Sequence, residues 1–406
     1  MHFYQLPPQE RRQLLKKQGI ELTPIDLKKL DCLNQLSENV IGEVTLPLGI
    51  VQDVVVNNKS YLVPMAVEEP SVVAAANHGA KIFAKNGGSK VISKRDGIYG
   101  QIVLKVDQDF SLEKLKKDFP KYIALANEEF ASLVKHGGGV KEITGKIKDD
   151  LVYLKVLIDP AQAMGANKTN SILEFLSEKL ILLPNIQEKM FAILSNYPSQ
   201  FATAKVELAV DSVGGMTVAQ KITLLSKIGW QDPYRAVTNN KGIMNGVDSI
   251  LIATGNDYRG VEAACGVLAS ETGKYRSLSQ WKIVDDKLVG CLTLPLALGV
   301  VGGSINSRPD IKQAYSILGE EISSETLAGL IVTVGLANNF AALHAISTKG
   351  IQAGHMKLQA RNIVATLSAS PAEKAKVLRE LVSSKQYSQS QAMAILEKIR
   401  KQEENN

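Results

Sequence analysis

The stretch at residues 326–348 carries no Asp, Glu, Lys or Arg, and such a run has to be removed from water. It is long enough to span a membrane, yet it contains Asn338, Asn339 and His344, whose polar side chains are costly in hydrocarbon. A long helix in the protein core or at a subunit interface is therefore the favoured interpretation. No membrane partner is expected.

Length and composition are those of a folded enzyme with more than one domain. With 406 residues, of which 45% are apolar and 22% charged, the chain exceeds one ordinary core, and two or three domains are expected. The formal charge of +6 is a mild basic excess, and aromatic residues make up only 5%. A nucleic-acid partner is therefore not expected, whereas an anionic small ligand or an ordinary solvated surface would both fit.

The cysteines and the first residues bear on location. Cys32, Cys265 and Cys291 are far apart and follow no metal-ligand spacing, so no metal site is predicted. They are typical of buried thiols in a reducing compartment. Because the first residues lack a basic region followed by an apolar one, no secretory signal is predicted. A cytoplasmic location is expected.

Changes of pattern divide the chain into four segments. A large domain is predicted at 1–95 and 206–350, with a small domain inserted at 96–205 and a small helical flap at 351–406. In the small domain, strands are predicted at 101–106, 140–147, 151–159 and 205–210, and helices at 111–134, broken near Pro120, and at 165–182. This β-α-β-β-α-β order is that of a ferredoxin-like unit. The fold class is therefore predicted to be α+β: a large mixed α/β domain with a long central helix, the inserted small domain and the C-terminal flap.

Four polar residues lie in four distinctive strings. They are Glu69 in VPMAVEEPS (63–71), Lys241 in NNKGIMNG (239–246), Asp257 in ATGND (253–257) and His355 in GIQAGHMKLQARN (350–362). Each also has an ordinary interpretation. Lys241 follows two asparagines and precedes a glycine, as in a turn, where a lysine could simply be solvated. Asp257 could be a turn aspartate, and a lone histidine is more often structural than catalytic.

In this order the four strings resemble those of 3-hydroxy-3-methylglutaryl-coenzyme A (HMG-CoA) reductase of the bacterial, soluble (class II) type. The resemblance extends over about residues 38–362, and it implies a catalytic large domain and a dinucleotide-binding small domain. It implies that Lys241 stabilises the oxyanion at the reacting carbonyl and that Asp257 holds this lysine in place. Glu69 would donate a proton to the alkoxide in the second reduction, and His355 would protonate the departing coenzyme A thiolate.

Substrate contacts implied by the same resemblance are Ser71, Arg235, Asn245 and Asn196. Arg235 offers a two-pronged guanidinium that fits the carboxylate of the hydroxymethylglutaryl group. An ordinary surface arginine is the alternative interpretation for this position.

The cofactor site cannot be a Rossmann fingerprint, because no GxGxxG string occurs in the chain. The resemblance points instead to the start of the long helix of the small domain, namely Gln162, Met164, Gly165, Ala166 and Asn167. A helix N-terminus is a ready phosphate site. Gln162 stands where the family usually has Asp. Residues 130–139 lack the carboxylate found there in NAD-preferring relatives and include Lys135, so NADPH is expected in preference to NADH.

The resemblance implies two successive hydride transfers that convert (S)-HMG-CoA to (R)-mevalonate and free coenzyme A, a step of the mevalonate pathway of isoprenoid synthesis. It also implies a homodimer or a larger assembly of dimers. Two alternatives stay open. Another oxidoreductase of coenzyme A thioesters would keep Lys241 and His355 but reject this substrate, and an inactive coenzyme A-binding or regulatory relative would bind without turnover.

Overall fold

The computed structural model describes residues 2–303, 305, 308–319, 321–348 and 360–404. The chain forms two compact units, Met1–Pro47 and Leu48–Asn406. In the first unit, Arg11 of helix α1 (Pro8–Lys17) donates to the side chain of Asn34, at the end of helix α2 (Leu27–Asn34), over 2.7 Å. This guanidinium is buried and also donates to backbone carbonyls, so it ties the segments of the unit together.

The second unit is built around helix α11 (Ser324–Ser347), which is buried along almost its whole length. Helices α3 (Val72–Lys85) and α8 (Pro233–Ala253) pack against it. At Gly79 of α3, a Cβ atom would come within 2.3 Å of the Ala337 carbonyl oxygen, so only glycine allows this approach. Among the helices that the structure describes, α11 alone is long and apolar enough to cross a membrane, and 89% of its most apolar part is buried. The prediction of a buried core helix is confirmed.

Two β structures accompany this helix. A four-stranded antiparallel sheet has the order β3 (Lys90–Ser93), β8 (Phe201–Ala209), β10 (Lys287–Pro295) and β9 (Ser279–Val284). A hairpin of β1 (Leu48–Val56) and β2 (Lys59–Ala66) leads into α3. Helices α7 (Met216–Gln231), α9 (Tyr258–Ser270) and α10 (Pro309–Leu318) complete this part. Phe83, Trp281 and Phe340 meet where the sheet packs on α3 and α11.

The inserted segment folds as the predicted β-α-β-β-α-β unit. Its elements are β4 (Ile98–Val106), α4 (Leu112–Glu129), the short α5 (Ala131–Lys135), β5 (Gly139–Lys148), β6 (Leu151–Asp159), α6 (Ala166–Leu180) and β7 (Ile186–Ser195). The sheet is antiparallel with the order β5-β6-β4-β7, and it has a hydrophobic core of its own. Strand β6 lies at the predicted position, and Val152, Leu154, Val156 and Ile158 on one of its faces are buried. The α+β class is confirmed.

Two details of this unit were predicted wrongly. The strand that closes the sheet is β7, whereas residues 205–210, predicted to close it, fall mainly in β8 of the other sheet. Strand β7 lies at an edge of the sheet, and most of its side chains are exposed. Its sequence therefore lacks the alternation of buried and exposed residues that identifies a strand. Helix α4 is not broken at Pro120 and ends at Glu129. It continues through the proline because one of its faces is buried, with Leu115, Phe119, Tyr122 and Ala126. That burial outweighs the lost backbone hydrogen bond.

The C-terminal part is helical, as predicted, and contains the helices α12 (Pro371–Ser384) and α13 (Gln389–Glu404). Buried side chains such as Val377, Leu381 and Ile395 form a third hydrophobic cluster there, separate from the two larger cores. The assignment of 1–95, 96–205, 206–350 and 351–406 to domains stays a prediction.

Candidate active site

The central feature of the site is an ion pair between two residues that are far apart in the sequence. Lys241 Nζ lies 2.6 Å from Glu69 Oε2, a charge-assisted hydrogen bond. Both side chains remain open to solvent, with 57% and 41% of their surface exposed. A cation and a carboxyl group are therefore adjacent at a surface that a ligand can reach.

Lys241 lies inside helix α8, so the interpretation of its segment as a turn is wrong. The two preceding asparagines are buried and act as anchors. Asn240 donates to the carbonyl of Arg276 and accepts from the amide of Leu278, each over 2.8 Å. Asn239 bonds to other buried side chains in the same region. Hydrogen bonds on the inner face of α8 thus hold the helix turn from which Lys241 projects.

Glu69 is positioned by the short connection between β2 and α3. Ser71, the residue just before α3, has φ +79°, a left-handed backbone that is uncommon for residues other than glycine. Its Oγ is buried and has no hydrogen-bond partner among the described residues. An unsatisfied hydroxyl on a strained backbone is typical of a position that meets a ligand. The assignment of Ser71 as a substrate contact stays a prediction.

Helix α8 carries the two other predicted substrate contacts. Asn245 is one turn beyond Lys241 and so lies on the same face of the helix. Arg235 is six residues before Lys241, which at 100° per residue places it about 120° away around the helix. Arg235 Nε is buried without a partner in the described part of the chain, and burial lowers the pKa of this guanidinium. The structure therefore groups Asn245 with Lys241 and sets Arg235 apart from them.

A small cavity brings together predicted site residues from three distant segments. Asp257, Asn196 and Met164 line a space of about 20 Å³, room for about one water molecule. Asp257 caps helix α9, since its Oδ1 accepts from the amide of Gly260 over 3.1 Å. Within the described residues it makes no hydrogen bond to Lys241. The role implied for Asp257, to hold the lysine in place, stays a prediction.

The predicted cofactor segment forms a cradle at the start of helix α6. Gly165 has φ +94°, and a Cβ atom there would lie 2.3 Å from Pro160 Cβ, so the turn requires glycine. Among the residues that the structure describes, no side chain caps this helix, so the first amides, including those of Ala166 and Asn167, lack a capping partner. These open amides and the positive end of the helix dipole suit a phosphate group.

The side chain of Gln162 has another set of partners. Its Oε1 accepts from the amide of Ser324 over 2.8 Å, and its Nε2 donates to Glu325 Oε2 over 3.4 Å. Gln162 therefore connects the cradle to the start of the central helix α11. Lys135 is exposed at the end of α5. Three residues later, Gly138 packs closely against the backbone of Asp159 at the end of β6. Whether either residue contacts a cofactor stays a prediction.

The fourth residue of the predicted catalytic set, His355, lies outside the described residues. Helix α11 ends at Ser347, and the described chain resumes at Ala360.

A carboxyl pair near the site was not found from the sequence. Asp248, two turns beyond Lys241 on α8, lies close to the carboxyl group of Glu262 of α9. Burial, with the neighbouring carboxylate second, raises the pKa of Asp248 to about 8. Lys241, Asn245 and Asp248 are spaced as on one face of a helix. A helical interpretation of this segment would therefore have placed Asp248 on the same face as the active-site lysine.

The fold and the site define a class of protein: an α+β chain in which a ferredoxin-like unit with an uncapped helix N-terminus is inserted into a domain that carries a lysine–carboxyl pair. The sequence profile of the family described as hydroxymethylglutaryl-coenzyme A reductase matches residues 7–360. The chain belongs to this family, and the resemblance found in the four strings is confirmed.

Individual relatives agree with the family match. The chain is 36% identical to 3-hydroxy-3-methylglutaryl-coenzyme A reductase of Archaeoglobus fulgidus, over 91% of this chain and 86% of that protein. It is 38% identical to a probable enzyme of the same name from Borreliella burgdorferi, over 92% and 89% of the two chains. A solved structure of the reductase from Streptococcus pneumoniae covers 98% of this chain and 99% of its own, with a TM-score of 0.76 and 39% identity. A second structure of that protein, described as class II and bound to NADPH in open conformations, has a TM-score of 0.75 and 39% identity over 97% and 99% of the two chains.

The raised pKa of Asp248 predicts a stability that depends on pH. In the folded protein Asp248 keeps its proton up to about pH 8. In the unfolded chain Asp248 loses the proton near its ordinary pKa of about 4. Between these values the folded state binds more protons, so stability falls as pH rises. Asp248→Asn removes the charge, and its melting temperature should exceed that of the wild type at about pH 8.5 but hardly at about pH 4.5.

The matched control is Asp286→Asn, which removes an exposed carboxylate in the β9–β10 turn. Its melting curve should follow the wild type at both pH values. If Asp248→Asn raised the melting temperature by the same amount at both pH values, the prediction would be contradicted.

Proposed function

We propose that this chain is an NADPH-dependent HMG-CoA reductase, which reduces (S)-HMG-CoA to (R)-mevalonate with release of coenzyme A. The observation that carries the proposal is the 2.6 Å contact between Lys241 and Glu69. It unites two of the four strings on which the family resemblance was based. The relatives named as reductases and the NADPH-bound structure from Streptococcus pneumoniae support the same conclusion.

The chemistry needs a cation and an acid at one carbonyl carbon. When a hydride adds to the thioester carbonyl, negative charge develops on oxygen, and the ammonium group of Lys241 neutralises it. The resulting hemithioacetal releases the coenzyme A thiolate, to which His355 gives a proton. A second hydride then reduces the aldehyde, and Glu69 gives a proton to the alkoxide to leave the alcohol. Because Lys241 and Glu69 lie side by side, the cation and the carboxyl group can both reach the same substrate oxygen.

We assign substrate binding to Ser71, Arg235, Asn245 and Asn196. The Oγ of Ser71 and the Nε of Arg235 have no partner among the described residues, so both can bond polar groups of the substrate. Asn245 shares the helix face of Lys241, so its amide can reach the same part of the ligand. Arg235 lies around the helix from Lys241, which suits a carboxylate held away from the reacting carbon.

We assign the dinucleotide to the cradle at Gly165, with Met164, Ala166, Asn167, Gln162 and Lys135 around it. The close approach at Gly165 and the open amides of α6 fit a phosphate there. Bound NADPH supplies the hydride. The residues of this chain hold it: the amides by hydrogen bonds to phosphate, and Lys135 by attraction for the 2′-phosphate.

Motion of the C-terminal segment 351–406 is part of the proposal. The cavity at Asp257, Asn196 and Met164 has only about 20 Å³ of space, far too little for a nicotinamide ring. The site therefore has to open to admit cofactor and to release coenzyme A between the two reductions. Movement of the C-terminal helices α12 and α13 would meet both needs. Crystals of the free protein and of the ternary complex with the same C-terminal position would count against this motion.

We further propose that the protein is a cytoplasmic homodimer or an assembly of dimers. Edge strand β7 and the residues after it expose Phe191, Ile193 and Tyr197, with 42%, 53% and 58% of their surface accessible. An exposed apolar edge strand is a surface that a second copy can cover.

Sedimentation equilibrium at micromolar concentration should give a dimer or a multiple of it, and a monomer would refute the assembly. Cell fractionation tests the location, since recovery in the membrane pellet would contradict it.

Replacement of the active-site lysine tests the mechanism. Lys241→Gln should lower kcat by about 100- to 1,000-fold, because one contact to the developing oxyanion is lost. The exposed ion pair contributes at most about 1 kcal/mol to stability, so the melting temperature should hardly change. Lys221→Gln, at an exposed position of α7, is the matched control and should keep full activity. The measurement follows NADPH absorbance and thiol release with HMG-CoA.

The same assay distinguishes the alternatives. An oxidoreductase for another thioester would consume NADPH with that thioester and not with HMG-CoA, and an inactive relative would show no turnover with either. Lys241→Gln with wild-type kcat would refute the assigned role of the lysine.

Cofactor choice gives a further prediction. The value of kcat/KM should be higher with NADPH than with NADH, because residues 130–139 offer Lys135 and no carboxylate to the 2′-phosphate. Lys135→Gln should lower kcat/KM for NADPH by about tenfold, the cost of one charge-assisted hydrogen bond, and leave the NADH value unchanged. Lys121→Gln, at an exposed position of α4, is the control. Equal loss with both cofactors would show that Lys135 does not read the phosphate.

A further inference from the structure

A second and much larger cavity is lined by residues other than Lys241 and Glu69. Its volume is about 300 Å³, at the lower end of the range of small-molecule sites. It is open to solvent and is lined by the end of α7 at Trp230, the end of α9 at Leu268, the turn at Arg276 and β10 at Cys291. None of the predicted catalytic, substrate or cofactor residues lines it.

A cation without a partner faces an aromatic ring in this cavity. The guanidinium of Arg276 lies over the indole of Trp230, with its central carbon 4.6 Å from the ring centroid. Among the described residues, this guanidinium has no hydrogen bond and no ion pair, not even with Glu271, which lines the same cavity. Its five donors are therefore available, and the indole holds them in a fixed plane.

The surrounding charges also favour an anion. Burial raises the pKa of the Cys291 thiol on the cavity wall, and two cations act against that rise: Lys282, and Lys205, which is paired with Glu207. Glu271 is the acidic residue on the wall. The rest of the lining combines apolar side chains such as Leu268 and Leu278 with polar ones such as Gln280. An apolar surface beside one directed cation suits a ligand with an apolar body and a single negative group.

The wall that carries Arg276 is held in place before any ligand binds. The backbone amide of Arg276 donates to the carbonyl of Ala269, and its carbonyl accepts from Asn240, each over 2.8 Å. The next residue, Ser277, donates its amide to the carbonyl of Gly229 over 3.0 Å. A site that is already ordered does not lose affinity to the ordering of its backbone.

We propose that this cavity is a second small-molecule site, which binds an amphipathic monoanion with a flat apolar body. The anion pairs with Arg276, and the apolar body lies against Trp230 and the leucines of the wall. This site is separate from the Lys241–Glu69 pair, so the inference stands or falls independently of the proposed function.

The chain provides its own reporter for the test. It contains two tryptophans, Trp230 on the cavity and Trp281, which is 3% exposed in the core. The probe is 3-phenylpropanoate, and 3-phenylpropan-1-ol is its uncharged analogue. Titration of the wild-type protein should change the fluorescence of Trp230 to saturation, with a Kd of about 0.1–1 mM, as expected of a ligand of this size. The alcohol should bind at least about tenfold more weakly.

Three variants assign the binding to this cavity. Arg276→Gln should raise the Kd about tenfold or more, whereas Lys274→Gln, on the same turn but off the cavity wall, should change it less than about twofold. Cys291→Phe fills the cavity while leaving Arg276 in place, and it should abolish saturable binding. The Cys291→Phe variant keeps the test decisive if Arg276→Gln folds poorly.

Protection of a thiol gives an independent readout. In a Cys32→Ser background, N-ethylmaleimide meets Cys291 on the cavity wall and Cys265 in the core. The probe should slow modification of Cys291, measured by peptide mass spectrometry. Unchanged Kd in both Arg276→Gln and Cys291→Phe, or equal affinity for acid and alcohol, would overturn the proposal.

Discussion

The buried amide network between α8, α11 and β9 is the interaction on which the site depends. Asn339 of α11 donates to Asn239 Oδ1 over 2.9 Å, and Asn239 donates to Ser279 Oγ over 3.2 Å. Trp281 completes the network by donating its indole N–H to Asn339 Oδ1 over 2.9 Å. Each of these groups would cost about 1–3 kcal/mol if buried without a partner, so the rotation of α8 about its axis is closely defined. That rotation is what directs Lys241 toward Glu69.

The ion pair itself contributes little to stability, because both of its side chains are about half exposed. Its position is instead set by the buried asparagines on one side and by the left-handed backbone of Ser71 on the other. A polar site supported by an independent rigid framework can be aimed at developing charge without reorganising during the reaction. The same anchors also order the turn at Arg276, so one network supports both the proposed active site and the second cavity.

Much of the fold was predictable because it follows local periodicity. Alternation of Val152, Leu154, Val156 and Ile158 located β6, and the uncharged run at 326–348 located the central helix. The errors arose where distant packing outweighs local preference. Pro120 stays inside α4 because the helix face around it is buried against the sheet. Strand β7 was missed because an edge strand buries too little to impose a pattern.

The amino-acid sequence by itself determined the chemical groups of the site, the family and the presence of a buried central helix, since each is written in a contiguous string. Only the tertiary structure decided that Lys241 and Glu69, separated by 172 positions, touch, and that Lys241 projects from a helix. It also decided that Asp248 meets Glu262 and that Arg276 faces Trp230 across a cavity. Contacts between distant segments depend on how whole elements pack, and a local string of residues does not encode that packing.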